Sequence, residues 1–572
     1  MNIYLQGNPA QAPYYGPGTP AQAYCPGTPA PAPVVRPLAY QKPGQPWVVG
    51  TAETLFACYA LAMGFLFWEW VVGTAYADRR EFFPTALGAF CFLVLAMAGT
   101  LVFLQARGRK QNRRSLFWGA VALAGAVPFL LYAGTPVRFF LMAFEALALL
   151  LWVMASCGTS ISEKLSGFLL PDAINQGCII PFANFIGLFR SFGKATDEKG
   201  QPVAAEGAGA EKRKGRGRLA LAALLGVVAF IPVLIFILNL LMMADAAFDD
   251  VIRRLEIPDF LKEHFGMWVF NAVFGVPVAC YLFGAVYGNA RRRHTGHVTR
   301  EGTVKTLSYF RGIPRAAILA PLCLLALVYL LFLAVMGGYL FSAFGGDLPA
   351  GFTYAEYARR GFFELCGVAS INLALLAFVY LFAKRGAGEY PVALRVLTGL
   401  LSALTVLLVV TAMSKMVLYI DAYGLSRLRL YTFWFMALLL LVFAVLLVWH
   451  VRPFNAGRPI AVACVVCVLA LFYVNTDGLI ARYNVEQYLT GSLPTVDVEM
   501  LDGLSDAAVP YLDELAGSGK ASADVREAAV AALSTDDEAY TRYSPSPTEG
   551  LHFYNWSVQG ARAEEILQKY VK

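Results

Sequence analysis

Lys415, Asp421, Arg427 and Arg429 stand with Tyr419, Tyr423 and Tyr431 inside the short stretch Ser414–Tyr431, between two long apolar runs. A chain that only turned round between two membrane helices would use a few neutral turn residues there. Ordering charge at a membrane boundary is costly, so this density points to a built site. Its chemistry is that of ion recognition: guanidinium and ammonium donors for an anion, and a carboxylate for a cation or a proton.

Further charges fall at the ends of apolar runs expected on the same side of the membrane: Asp245, Glu356, Arg359, Arg360, Glu364 and Arg482. If these ends converge, they form an outer rim of acids and cations. Arg359 and Arg360 also lie near the start of a helix, where free backbone N–H groups and the dipole favour an anion such as a phosphate or carboxylate headgroup. The competing reading is that the charges pair with one another and with phospholipid, anchoring helix ends, as interfacial Arg and Tyr ordinarily do.

A second set lies within the apolar runs themselves. Glu145 is near the middle of the fourth, with Arg138 seven residues earlier on nearly the same helical face; Asn239 and Asn372 are also deep. Ionisable groups at such depth suggest a proton relay or a substrate contact, against the alternative of a protonated Glu bonded to a neighbouring helix. Other motifs fail. Gly187–Lys194 has one spacer too many for a phosphate loop, and Gly517–Ala521 lacks both the leading Gly and the hydroxyl after Lys520. Cys464 and Cys467 sit in an apolar run, and His294 and His297 in a loop basic enough to repel a cation. No cofactor or metal is expected from the sequence.

The elements that must position these residues are membrane helices. The chain has 572 residues, 58% of them hydrophobic and 15% charged, with mean hydropathy +0.56. A soluble domain carries about 25% charged residues. Eleven apolar runs lie near 54–74, 84–104, 116–133, 137–158, 219–243, 267–288, 316–337, 361–383, 396–414, 432–450 and 459–475. Each is close to the ~20 residues that cross a bilayer as a helix. The expected fold is therefore all-α: a polytopic bundle of about eleven spans with a small helical C-terminal domain. Leu165–Phe192 is apolar but carries Pro171, Asp172, Asn175, Pro181 and Asn184, which favours an interfacial or re-entrant piece.

Orientation follows from Lys and Arg. Arg107, Arg109, Lys110, Arg113 and Arg114 fill one loop, Arg291, Arg292, Arg293 and Arg300 open another, and Arg190–Arg218 is a third basic stretch. Eleven spans put all three on one side, the cytoplasmic side by the positive-inside rule, with the N-terminus inside and the C-terminus outside. From Asp477 onward there are 16 acidic against 7 basic residues, so the net charge of +7 conceals a basic inner face and an acidic outer unit. The basic loops adjoin the membrane, which suits anionic lipid and not nucleic acid. The ten cysteines offer no disulfide framework. The first apolar run begins some fifty residues in and is expected to act as an uncleaved anchor.

Three parts result. Residues 1–46 form a Pro/Gly/Tyr-rich cytoplasmic tail too poor in core-forming residues to fold, either a passive tail or a docking strip for an aromatic-lined domain. Residues 47–476 form the helix bundle. Residues 477–572 form the acidic all-α extracytoplasmic domain, with helices expected at Ile480–Leu489, Asp497–Leu515, Ala521–Leu533 (Ser522 as N-cap) and Val558–Val571.

Four segments carry a resemblance: Leu241–Phe248, Tyr354–Leu365 (YAEYARRGFFEL), Ser414–Tyr431 and Ile480–Tyr488 (IARYNVEQY). Their order and spacing resemble a bacterial family of multi-pass membrane proteins defined only as a domain of unknown function, over the last two-thirds of the chain and including Leu504–Pro510. Lys415 stands where similar proteins are expected to carry Arg. The resemblance implies a fold and a membrane, and no chemistry.

Three function classes follow. The first is a non-enzymatic plasma-membrane protein that senses, signals or scaffolds through its outer face, with membrane lipids and an envelope protein bound by residues 477–572 as partners. The second is a small-solute or lipid transporter using the intramembrane polar residues. The third is an outer-face enzyme acting on a lipid-linked phosphate, with Arg359, Arg360, Arg427 and Arg429 holding the anion and Asp245 or Asp421 as base.

Overall fold

The computed structural model describes residues 47–72, 86–132, 138–161, 169–193, 259–345, 362–384, 391–452, 454–534 and 556–570, with side chains described from 266 to 335 within the fifth of these segments. Ten of the eleven expected spans fall on these residues; 219–243 lies outside them, as does the 1–46 tail. The regular elements among the described residues are helices, and Ile313 and Ala383 form an isolated β-bridge.

The first group of spans is α1 (Thr51–Leu66, prolonged by a π turn over Phe67–Val72), α2 (Leu87–Ala106), α3 (Arg113–Leu131) and α4 (Arg138–Cys157). A broken apolar segment follows, made of α5 (Leu169–Ile174), a π turn, α6 (Ile180–Ala183) and α7 (Gly187–Arg190). It is not a continuous span; Asn184 is fully buried against Gly284 and Gly288 of α8 (Asp259–Ala290). Asn112 caps α3, its side-chain oxygen accepting from Arg114 N and Ser115 N at 2.9 and 3.0 Å, which is why a chain entering from a basic loop starts a helix there.

α1 and α8 cross at two glycines set back to back. A Cβ on Gly64 would overlap the Gly275 carbonyl oxygen, and one on Gly275 would lie 2.7 Å from the Gly64 carbonyl carbon. Inside a bilayer no hydrophobic gain drives helices together, so backbone approach through small residues supplies the packing.

The second group follows α9 (Arg300–Phe310) and comprises α10 (Arg315–Gly345), α11 (Phe362–Phe382), α12 (Val392–Tyr423) and α13 (Arg427–Val451), with its own buried cluster around Leu401, Leu408, Met436 and Phe443. α14 (Gly457–Tyr473) bridges the groups: Trp434 Nε1 of α13 donates to Cys467 O at 2.9 Å, while Phe472 joins the core of α1 to α4.

α14 and α15 (Thr476–Leu489) meet at a 60° bend. α15 does not continue α14 as one straight helix. Its Ile480, Ala481 and Val485 enter a separate core with Leu501, Leu504, Leu512, Leu515, Leu533 and Leu567. The expected helix Asp497–Leu515 is divided into α16 (Val498–Asp502), a 3-10 turn (Asp506–Ala508) and α17 (Val509–Gly517), because Gly503 and Pro510 interrupt it. α18 (Ala523–Ser534) and α19 (Val558–Leu567) complete the unit. Val525 N donates to Ser522 Oγ at 3.3 Å and Gly560 N to Ser557 Oγ at 3.0 Å.

Gly64→Ala should lower the Tm of the detergent-solubilised protein by several degrees, since overpacking a tight contact costs about 1–3 kcal/mol. Gly266→Ala, whose Cβ would meet nothing within 4 Å, should leave the Tm unchanged or slightly raised.

Candidate functional site: the joint between bundle and C-terminal unit

The charged stretch is not a loop. α12 runs through Lys415 and Asp421 to Tyr423, and α13 begins at Arg427, so the connection is only Gly424–Ser426. With 32 residues at ~1.5 Å each, α12 is long enough to project well beyond a ~30 Å hydrocarbon layer. Gly424 ends it with φ +75°, a left-handed conformation that favours glycine.

This connection is tied to α15 and the turn beyond it by several side chains. Arg427 grips Asp477 with two parallel bonds, Nε to Oδ1 at 2.8 Å and Nη2 to Oδ2 at 2.9 Å. Asp477 is fully buried, opens the first turn of α15 where an acid suits the helix dipole, and also accepts Ser505 N at 3.2 Å. Two turns further along α15, Asn484 reads the backbone of Leu425 on both sides. It accepts Leu425 N at 2.7 Å and donates to Leu425 O at 2.8 Å. Arg429 turns back to the end of α12, donating to Tyr423 O at 2.9 Å and to Gly424 O, with its guanidinium 4.2 Å over the Tyr419 ring. Tyr483 OH donates to Asp421 Oδ1 at 3.2 Å, and Tyr431 OH lies 3.3 Å from Thr476 Oγ1.

Of the rim residues singled out in the sequence, the structure therefore brings Asp421, Arg427 and Arg429 to one joint. Lys415 is half-buried on α12, in electrostatic contact with the exposed Glu364 that opens α11. Arg482 pairs with Glu486 of its own helix at 2.6 Å, both side chains exposed, and stands apart. Asp245, Glu356, Arg359 and Arg360 lie outside the described residues. Asp477, Asn484 and Ser505 complete the joint. The capping run Asn475-Thr476-Asp477 was the available signal for Asp477: Asn475 Oδ1 accepts Gly478 N at 3.2 Å.

Within the bundle, Asn372 ties three helices, accepting Tyr329 OH at 2.8 Å and donating to Thr405 Oγ1 at 2.9 Å. This makes it a packing clamp. Glu145 differs. It is fully buried, its carboxyl is lodged in the notch at Gly125 of α3, and neither oxygen meets a hydrogen-bond partner among the described residues. Arg138 does not bond to it and donates to Tyr132 O instead. A cleft lined by Pro128, Tyr132, Arg138, Leu141, Phe472 and Asn475 lies about one helical turn from Glu145, towards the joint. Asn239 lies outside the described residues.

The opposite end holds a feature that sequence reasoning missed. Glu53, fully buried in the first turn of α1, accepts Arg291 Nε and Nη2 at 3.0 and 2.6 Å, Gly50 N at 3.0 Å, and Arg107 Nη2. Arg109 Nη2 donates to Ala290 O at 2.6 Å. Three of the loop cations are thus locked to α1 and α8. Among the described residues no group of three or more His, Cys, Asp or Glu side chains is arranged to hold a metal ion.

Nine described helices are long and apolar enough to cross a membrane, or ten if the bent pair α14–α15 is one span. The protein is a multi-pass helical membrane protein. A family model described as a domain of unknown function (DUF4153) matches residues 70–515, and the chain belongs to that family. No curated protein and no solved structure matches the chain.

Arg427→Gln leaves a buried carboxylate with one backbone donor, a loss worth about 3–5 kcal/mol. Limited proteolysis should then cut between α15 and α19 at least tenfold faster than in the wild type. Arg427→Gln combined with Asp477→Asn should recover part of that loss.

Proposed function

We propose that the protein is a non-enzymatic envelope protein of the bacterial plasma membrane that senses, signals or scaffolds through its acidic C-terminal helical unit. The N-terminus lies in the cytoplasm and the C-terminal unit outside. Support for the orientation comes from Arg107, Arg109, Arg113, Arg114 and Arg291 to Arg293, which gather at one end of the bundle, opposite the acidic unit. The observation that carries the reading is the buried Arg427–Asp477 pair. It makes the unit a rigid extension of α12 and α13, so a partner bound to the unit acts directly on two membrane helices. The same geometry disfavours an enzyme of lipid-linked phosphates. Arg427 and Arg429, which would have to hold the phosphate, already donate to Asp477 and to two backbone carbonyls.

The test is purification of the full-length protein from its own cells, wild type beside Arg427→Gln. A near-stoichiometric protein partner is expected with the wild type and should be lost with the variant while the bundle stays inserted. Equal recovery with both, or no partner with either, contradicts the reading.

A second reading, transport of a small solute or lipid, rests on Glu145. An unpaired carboxyl in the hydrocarbon region near an outward cleft is the kind of group that couples a pathway to protons. Uptake driven by a pH gradient that persists unchanged in Glu145→Gln would remove it.

A further inference from the structure

At the basic end of the bundle one arginine differs from its neighbours. Arg107, Arg109 and Arg291 are engaged by Glu53 or by a helix-terminal carbonyl. Arg293 is only 9% exposed, yet its Nε and Nη1 meet no hydrogen-bond partner among the described residues. Buried guanidinium N–H groups ordinarily find acceptors, because leaving them bare forfeits their hydration. The backbone is bent to put the side chain there. Arg292 and His294 on either side both adopt left-handed conformations, φ 53° and 60°, while Arg293 N still bonds Gly288 O at 2.7 Å.

The guanidinium of Arg293 lies 3.9 Å over the ring of Trp47, and that of Arg190 lies 5.0 Å from the same ring. Trp47 is held in place by stacking on Tyr287, ring centroids 5.5 Å apart, whose hydroxyl is bonded to both Val48 N and Val48 O at 3.1 Å. Two cations thus share one aromatic platform, with no carboxylate among the described residues paired to either. Stacking on a ring face leaves the edge of a guanidinium free, and that edge is the part that grips a phosphate. Beside this pair, α6 and α7 turn Phe182, Ile186 and Phe189 outward, exposed by 63%, 61% and 55%. These residues precede Arg190, so an apolar strip ends at the two arginines.

We propose that Arg190 and Arg293, set around Trp47, bind the phosphate of an anionic phospholipid whose acyl chains lie along Phe182, Ile186 and Phe189. The two guanidiniums supply charge-assisted bonds to the phosphodiester, and the net positive charge selects an anionic headgroup over a zwitterionic one. The apolar strip distinguishes a lipid from a free anion. The site is independent of the C-terminal unit and of the function proposed for it.

The full-length protein in mild detergent, offered equal amounts of phosphatidylglycerol and phosphatidylcholine and weighed by native mass spectrometry, tests this. The wild type should retain phosphatidylglycerol, and Arg190→Gln and Arg293→Gln should each reduce retention about tenfold, the worth of one charge-assisted contact. Arg293→Lys should restore part of it, and Arg114→Gln, exposed in the first turn of α3, should change nothing. Tm separates the site from a packing role: Arg293→Gln should keep or raise it. Should that variant fail to fold, Arg190→Gln, at an exposed position, carries the test. Unchanged retention in Arg190→Gln overturns the proposal. So does displacement of the lipid by inorganic phosphate without any headgroup preference, which would mark a site for a free anion.

Discussion

The carboxylate of Asp477 is the constraint on which the outer half of the molecule depends. It is fully buried at the start of α15, so its charge must be met inside the protein, and Arg427 and Ser505 N meet it. Removing two charges from water is offset only when the geometry leaves few lone pairs unanswered. Here the fork of Arg427 answers both oxygens at once. That requirement fixes the first turn of α13 against the first turn of α15, and the turn at Ser505 against both. Asn484 repeats the logic with neutral groups, and Gly424 makes room for it: a Cβ there would overlap Asn484 Oδ1.

The basic end obeys the same rule. Glu53 is the buried acid, and Arg107 and Arg291 reach it from two different loops. The two ends of the bundle are each closed by a buried carboxylate whose cations come from elsewhere in the chain. Between them the hydrocarbon tolerates few polar groups. Asn372 uses both ends of its amide, on Tyr329 and Thr405, whereas neither oxygen of Glu145 meets a partner among the described residues.

Spans were legible in the sequence because the bilayer imposes one length and one composition on every crossing, and ten expected runs coincide with described helices. Leu165–Phe192 was legible as something other than a span because Pro and Asn interrupt it. The joint was legible only as a concentration of charge. The two apolar runs bounded at 414 and 432 stop short of the helix ends, because Lys, Asp, Arg and Tyr do not break helices; only Gly424 does. Asp477 and Asn484 were hidden for a different reason. Their partners Arg427 and Leu425 lie 50 and 59 residues away, and the 60° bend at the end of α14 brings them together. Glu53 was hidden likewise, since no local pattern tells an arginine facing lipid headgroups from one folded back onto a distant acid.

Hydrogen exchange on the full-length protein in a lipid nanodisc tests the central claim, that the C-terminal unit and the bundle are locked into one body at this joint. The amides of Leu425 and Ser505, and those along α15, should exchange as slowly as the amides of α12 and α13 beside them. If α15 to α19 exchange together at a faster rate of their own while α12 and α13 stay protected, the unit is a tethered domain and the account of a rigid outer extension is wrong.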